Sequence, residues 1–315
     1  MTNISSLPNN KTLKTLLSWL IKLLGITLFI YVLKNVDWKI CIEEMSKISI
    51  FSLVIALFMI QIGYVIKSKR WQIILTHYEV NIPVWKLYKI FSIGTFLGLV
   101  TPGKIGDFGR LFYIKKYIDV KKGLSSLFID RIFDLISLAI LGFVSILYFE
   151  NNFKIINKIS IQFGYEKQYF LIGVILSMLV LYIILRKKII SIIQTIKDGF
   201  KDLISFLKQL FITIISMILI YGAFVVVCYN MNIQIHYLGL FFGLILIGLL
   251  SLIPITILGL GVREVSMVYI FDLYGLGFEK AIALSLIILM IQIISTIPGI
   301  IWFSKKPLNF NKINN

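Results

Sequence analysis

The chain has 315 residues, of which 58% are hydrophobic and 15% charged, and its mean hydropathy is +0.92. That balance excludes a water-soluble surface and indicates an integral membrane protein, read here as one domain over residues 1–315. The net charge of +17 would suit nucleic acid, but the cations fall in short loops between apolar runs, so no nucleic-acid partner is expected.

Apolar runs near residues 16–33, 49–66, 127–149, 169–185, 210–229 and 281–303 each approach the roughly 20 residues needed to cross a bilayer as a helix. The first follows Lys11 and Lys14, lacks a small-residue cleavage site and reads as a retained span. The loop at 34–48 balances Lys34, Lys39 and Lys47 against Asp37, Glu43 and Glu44, and 230–235 carries no charge, so both are expected outside. Lys67, Lys69, Arg70, Lys86 and Lys89 are expected in a cytoplasmic loop, as are Arg186, Lys187, Lys188, Lys197, Lys201 and Lys208, and the terminal Lys305, Lys306 and Lys312. Trp19, Trp38, Trp71, Trp85 and Trp302 are expected at span ends, as an aromatic belt. Between Arg186 and Gln209, Ile189, Ile193, Ile196, Phe200, Leu203 and Leu207 alternate at spacings of four and three, which predicts an amphipathic helix, either lying in the cytoplasmic interface or extending the following span. Cys41, Cys228, His77 and His236 stand alone, so neither a metal nor another cofactor is expected.

Two regions, 90–112 and 237–272, are cut by proline and glycine and then carry charge. The first reads Val100-Thr101-Pro102-Gly103-Lys104-Ile105-Gly106-Asp107-Phe108-Gly109-Arg110, and the second runs from Pro254 through Gly259 and Gly261 to Arg263-Glu264. Basic residues flank both ends of the first region, so it is expected to enter and leave on one face as a re-entrant helix pair. The same reasoning makes the second region re-entrant from the other side; the alternative for both is an ordinary span kinked at its proline. The fold class is therefore an all-α polytopic bundle, an inverted repeat of two spans, a re-entrant pair and one span per half. The first repeat covers about 11–150 and the second about 165–306, with both termini on the cytoplasmic side of the cell membrane.

Ionisable groups inside apolar helices cost about 2.5 to 3.5 kcal/mol each on insertion scales, which marks Asp107, Arg110, Asp130, Arg131, Asp134, Arg263 and Glu264 as candidates. Asp107 and Arg110 share a helix face after Gly106, and Asp130 and Asp134 share another. Arg263 and Glu264 point about 100° apart on a helix, so each is expected to find a partner elsewhere. A cross-repeat network follows, Arg263 meeting Asp130 or Asp134 and Glu264 meeting Arg110, with a phosphate competing for either arginine. Helix N-termini after Gly106 and Gly261 would offer backbone N–H groups to the same anion. Lys104 has the reach to snorkel to the surface, and the alternative role for the whole set is to hold the broken helices together.

These residues carry a family resemblance. Thr101-Pro102-Gly103 with Gly106-Asp107 and Arg110, then Asp130-Arg131 with Asp134, then Pro254 with Gly259-Leu260-Gly261-Val262-Arg263-Glu264, resemble the membrane domain of the lysylphosphatidylglycerol synthase and flippase family. Lys69-Arg70-Trp71 adds to the likeness, which covers essentially the whole chain. The resemblance implies movement of a phosphate-containing lipid head group across the bilayer, with a phospholipid or lipid-linked substrate as partner and anionic lipid head groups around it. Pro102, Gly103, Gly106, Pro254, Gly259 and Gly261 would break the helices at the substrate site. Only a short polar tail follows Trp302, so the family's soluble aminoacyl transferase domain is not expected, and no residue is assigned a catalytic role. The alternatives are a membrane-embedded lipid-modifying transferase, as in lysylphosphatidylglycerol synthesis, and an accessory subunit or scaffold for a glycosyltransferase. A homo-oligomer is compatible with each.

Overall fold

In the computed structural model the structure describes residues 27–154, 203–231, 233, 235–251 and 259–307, and among them all regular elements are helical. A helix at 27–34 (α1) leads into α2 (Trp38–Ser46), whose first N–H groups are capped by the Asp37 carboxylate. Then come α3 (Ile50–Thr76), α4 (Val84–Leu99), a 3-10 segment (Pro102–Arg110), α5 (Leu111–Ile114) and α6 (Val120–Phe153). The second half contains α7 (Leu203–Cys228), α8 (Tyr237–Leu250), α9 (Val262–Leu273), α10 (Phe278–Ser295) and α11 (Ile297–Lys305). Among the described residues, four stretches are long and apolar enough to cross a bilayer: α3, α6, α7 and the continuous pair Phe278–Lys305. The protein is a multi-pass membrane protein.

Helix α3 lies at the centre, packed on α4, α6, α7 and α10. At 27 residues it is about 40 Å long, longer than the hydrocarbon needs, and no proline interrupts it. Lys67, Ser68, Arg70 and Trp71 therefore belong to its last ten residues, which corrects the expectation of a cytoplasmic loop there. Arg70 and Trp71 are both fully buried. Trp71 thus leaves the aromatic belt, whereas Trp38 and Trp85 are exposed near the starts of α2 and α4, and Trp302 meets Tyr88 edge-on at 5.3 Å. Helix α6 begins at Val120, capped by Asp119, so Asp130 sits almost three turns inside the helix rather than at its opening. From Leu203 the chain is already α7, continuous with the apolar run after it. The rest of the expected amphipathic helix, the span at 169–185, Trp19 and Pro254 lie outside the described residues.

One end of the bundle gathers the end of α3 and the starts of α4, α6 and α7 around Trp71, Leu75, Leu87, Leu127 and Phe206. The end of α11 joins them, since the Tyr113 hydroxyl donates to the Lys306 carbonyl at 2.7 Å. This is the basic end, where Tyr117 accepts from Lys86; that bond, reinforced by Lys116, holds its phenol below the usual range. The opposite end packs Cys41, Phe149, Val227, Phe271 and Leu284, with Cys228 as a second free thiol.

The first break reverses the chain. Pro102 has no N–H with which to continue α4, and it forces Thr101 into an extended conformation, φ −115° and ψ 139°. The Thr101 hydroxyl then clamps the turn, donating to the Leu97 carbonyl at 2.8 Å and accepting from the Gly106 N–H at 2.7 Å. A Cβ at position 106 would run into the Leu97 carbonyl, so only glycine lets the 3-10 segment lie back along α4.

Candidate functional site

Seven side chains from α3, the 3-10 segment and α6 form a continuous ladder of alternating charge. Lys67 Nζ reaches Asp134 Oδ2 at 3.0 Å, and Asp134 Oδ1 accepts from Arg70 Nη1 at 2.8 Å. Arg70 Nη2 meets Asp130 Oδ1 at 2.5 Å, and Asp130 Oδ2 accepts from Arg110 Nη2 at 3.2 Å. Asp107 Oδ2 closes the series, 2.6 Å from both Arg110 Nη2 and Arg131 Nη2. The order is therefore Lys67, Asp134, Arg70, Asp130, Arg110, Asp107, Arg131, with a cation at each end.

The two central arginines are held differently. Arg70 also donates from Nε to Asp130 Oδ1, from Nη2 to the Asp130 carbonyl and from Nη1 to Thr213 Oγ1 of α7, so all three of its nitrogens are engaged. Arg110 uses Nε, to its own segment's Asp107 carbonyl at 3.3 Å, and Nη2, while its Nη1 is buried without a partner among the described residues. Its guanidinium carbon lies 4.8 Å from the Trp71 ring centroid and 4.9 Å from that of Phe91, a pair of aromatic contacts that fixes its orientation. The side chains of Lys67, Asp134 and Arg131 keep 11%, 21% and 29% of their surface, so the ladder opens to its surroundings at both ends while its middle is sealed. Arg131 and Asp134 are three apart on α6, which brings the two open ends together. Exposed Lys104 stands in electrostatic reach of Lys67, Asp107, Arg131 and Asp134, on a backbone with φ 56°, left-handed for a residue that rarely adopts it.

A second, smaller cluster follows the second break. Gly261, φ 85°, precedes α9, and the Glu264 carboxylate turns back so that Oε2 accepts the Gly261 N–H at 2.6 Å. Turning back also lays Oε1 beside Arg263, 2.6 Å from Nη2, with Ser285 of α10 donating to it at 2.8 Å. Arg263 Nε donates to the Ser285 hydroxyl at 2.8 Å, and its Nη1 is again buried without a partner among the described residues.

Asp107 and Arg110, expected on one helix face, pair directly with each other. The expected cross-repeat pairing is not present: Arg263 and Glu264 bond to each other, and no hydrogen bond or ion pair joins the two clusters among the described residues. Divergence by 100° at the Cα atoms did not prevent contact because the Glu264 side chain is committed to the helix cap, which swings it toward Arg263. At the helix starts expected to receive an anion, the Gly106 N–H is taken by the Thr101 hydroxyl and the Gly261 N–H by the Glu264 carboxylate. Lys67 and Arg70 went unassigned as site residues because both were placed in a loop. Their three-residue spacing within an apolar frame that continues through Ile73 and Leu75 was the available signal. Nothing in the sequence singled out Thr213 or Ser285.

Depth separates the clusters. Arg70 lies about 9 Å along α3 from the basic end, and Ser285 about 10 Å along α10 from the opposite end.

The arrangement falls within a known family, since the family model described as the lysylphosphatidylglycerol synthase TM region matches residues 19–299. The chain belongs to that family. A UPF0104 membrane protein of Methanocaldococcus jannaschii is 29% identical over 214 residues, which cover 64% of this chain and 90% of that relative. Both charge clusters of this lysylphosphatidylglycerol synthase TM-region chain lie inside the matched residues.

Proposed function

We propose that the protein is a lipid translocase that passes a phosphate-containing head group between leaflets while the acyl chains stay in the bilayer. One observation carries the reading: each broken region leads to a buried arginine, Arg110 or Arg263, oriented by carboxylates and left with an Nη1 that has no partner among the described residues. Buried polar groups are nearly always hydrogen-bonded, and an unused guanidinium edge suits a phosphate oxygen. Asp107 and Asp130 would hold the first arginine, Arg131 and Asp134 would shape the entrance, and Glu264 would hold the second.

The reading includes the inverted repeat, about 11–150 and 165–306, with both termini cytoplasmic. Its supports are the reversal of the chain at Thr101 and the similar distances of the two clusters from opposite ends of the bundle. In that plan each arginine serves one side of the membrane, and rocking of the halves passes the phosphate from one to the other.

The test is purified protein in liposomes containing a fluorescent phospholipid, with dithionite quenching the exposed leaflet. Protein-dependent quenching of inner-leaflet label, lost in Arg110→Gln and in Arg263→Gln, is expected. Quenching equal to that of protein-free liposomes would refute translocation, and a covalently altered lipid on mass spectrometry would assign a transferase instead.

A further inference from the structure

We propose that the head group taken by this site is net anionic, a phospholipid head without a compensating amine, rather than an aminoacylated and therefore cationic one. The inference rests on the translocase reading and names its substrate class.

The argument is a count of charges that the ladder itself defines. Its four cations, Lys67, Arg70, Arg110 and Arg131, face three carboxylates, Asp107, Asp130 and Asp134, leaving one positive charge uncompensated. Lys104 beside the open ends makes the excess larger. Uncompensated charge at this burial is costly, and the vacant hydrogen-bonding edge of the cluster, Arg110 Nη1, is a donor and not an acceptor. An anion answers both deficits at once.

An ammonium group finds nothing equivalent. Each of the three carboxylates is already divided between two cations, Asp134 between Lys67 and Arg70, Asp130 between Arg70 and Arg110, and Asp107 between Arg110 and Arg131. In the second cluster Glu264 is spent on Arg263, Ser285 and the Gly261 N–H, and the unpartnered atom is once more an arginine nitrogen. An entering amine would meet Lys67, Lys104 and Arg131 around the one partly exposed carboxylate, Asp134, and like charges brought together discriminate against the wrong partner.

Two measurements on the full chain test this. In detergent, thermal unfolding is followed with dioctanoyl phosphatidylglycerol, dioctanoyl lysylphosphatidylglycerol or glycerol 3-phosphate added. The expected result is stabilisation by phosphatidylglycerol, at concentrations at least about tenfold below those at which the lysylated lipid acts. Equal or stronger stabilisation by the lysylated lipid would overturn the proposal. Stabilisation by glycerol 3-phosphate matching that of phosphatidylglycerol would assign the site to a soluble anion and overturn the lipid part. In liposomes the same two head groups are compared for translocation. Preferential binding of phosphatidylglycerol without movement of any lipid would sink the translocase reading and leave the charge preference standing. Faster movement of the lysylated lipid would do the reverse. Arg131→Gln removes the excess charge at a partly exposed position, and it is expected to bring the two apparent affinities within about threefold of each other. An unchanged preference in that variant would refute the charge count. Lys104→Gln, outside the ladder, provides an independent reduction in the same direction if Arg131→Gln fails to fold.

Discussion

Arg70→Met is the most demanding test of the ladder. Methionine fills much of the space of the arginine stem but removes every hydrogen bond the guanidinium makes. Asp130 would keep only Arg110, at 3.2 Å, and Asp134 only Lys67, at 3.0 Å, while the Thr213 hydroxyl would lose the donor it accepts from. Removing one partner of a buried ion pair leaves an uncompensated charge and costs about 3 to 5 kcal/mol. At about 2 to 4 °C per kcal/mol, the melting temperature should fall by on the order of 10 °C. The assay is intrinsic fluorescence during heating in mild detergent, with the folded fraction checked by size-exclusion chromatography. Lys69→Met, at the neighbouring exposed lysine that reaches Gln72, should stay within about 0.5 kcal/mol of the parent. Arg70→Met/Asp130→Asn should regain part of the loss, about 0.5 to 3 kcal/mol, because the carboxylate orphaned by the first change is removed by the second. A melting temperature for Arg70→Met within about 2 °C of the parent would refute the idea that Arg70 holds the ladder together.

Gly94→Ala should destabilise by about 1 to 3 kcal/mol and abolish lipid movement, since its Cβ would lie 2.5 Å from both Arg110 Cγ and Asp107 Oδ1. Gly98→Ala, one turn on in α4 with its nearest neighbour 3.5 Å away, should be neutral or slightly stabilising, and equal melting temperatures for the two variants would contradict the packing. Glu264→Gln keeps an acceptor for the Gly261 N–H but not the charge facing Arg263, so it should melt above Glu264→Ala by about 1 kcal/mol; the opposite order would refute the cap. In a background with Cys41→Ala and Cys228→Ala, Lys116→Cys and Gly277→Cys should react with an impermeant maleimide from opposite sides of the membrane; reaction from one side would rule out the inverted repeat.

Much of the fold was legible because a bilayer leaves few options: an apolar run of the right length has to be a helix. The first break was legible for the same kind of reason. Pro102 cannot donate, and Gly106 accepts a close approach that no other residue could, so the sequence of the turn and its reversal are one fact. Boundaries were harder. The positive-inside rule places lysines and arginines near span ends, and it took Lys67 and Arg70 for loop residues, although α3 simply continues beneath them. The rule reports where charge is tolerated in water and is blind to charge that is neutralised inside, which is what Asp130 and Asp134 provide from 60 and 64 residues away. The partners of Arg263 were misjudged by a different route, since helical angles describe Cα directions and a capping glutamate bends back along the axis.

The contrast between Arg70 and Arg110 separates structure from function within one ladder. Both are buried arginines flanked by two carboxylates, with Asp130 shared between them, and composition alone would give them one role. Arg70 engages Nε, Nη1 and Nη2, so any ligand that bound it would have to break a bond already made. Arg110 is clamped by Trp71 and Phe91 with one nitrogen idle, so a ligand there gains a bond and breaks none. The same asymmetry recurs at Arg263, whose Nη1 is idle while Glu264 and Ser285 occupy the rest. A purely structural role for these charges predicts no difference in kind among the three arginines. A ligand-binding role predicts that Arg70→Lys loses stability first, whereas Arg110→Lys, which keeps the charge but loses the planar fork, loses lipid movement first. If both lysine variants lose stability and activity in the same proportion, the ladder is a brace and the idle nitrogens carry no substrate.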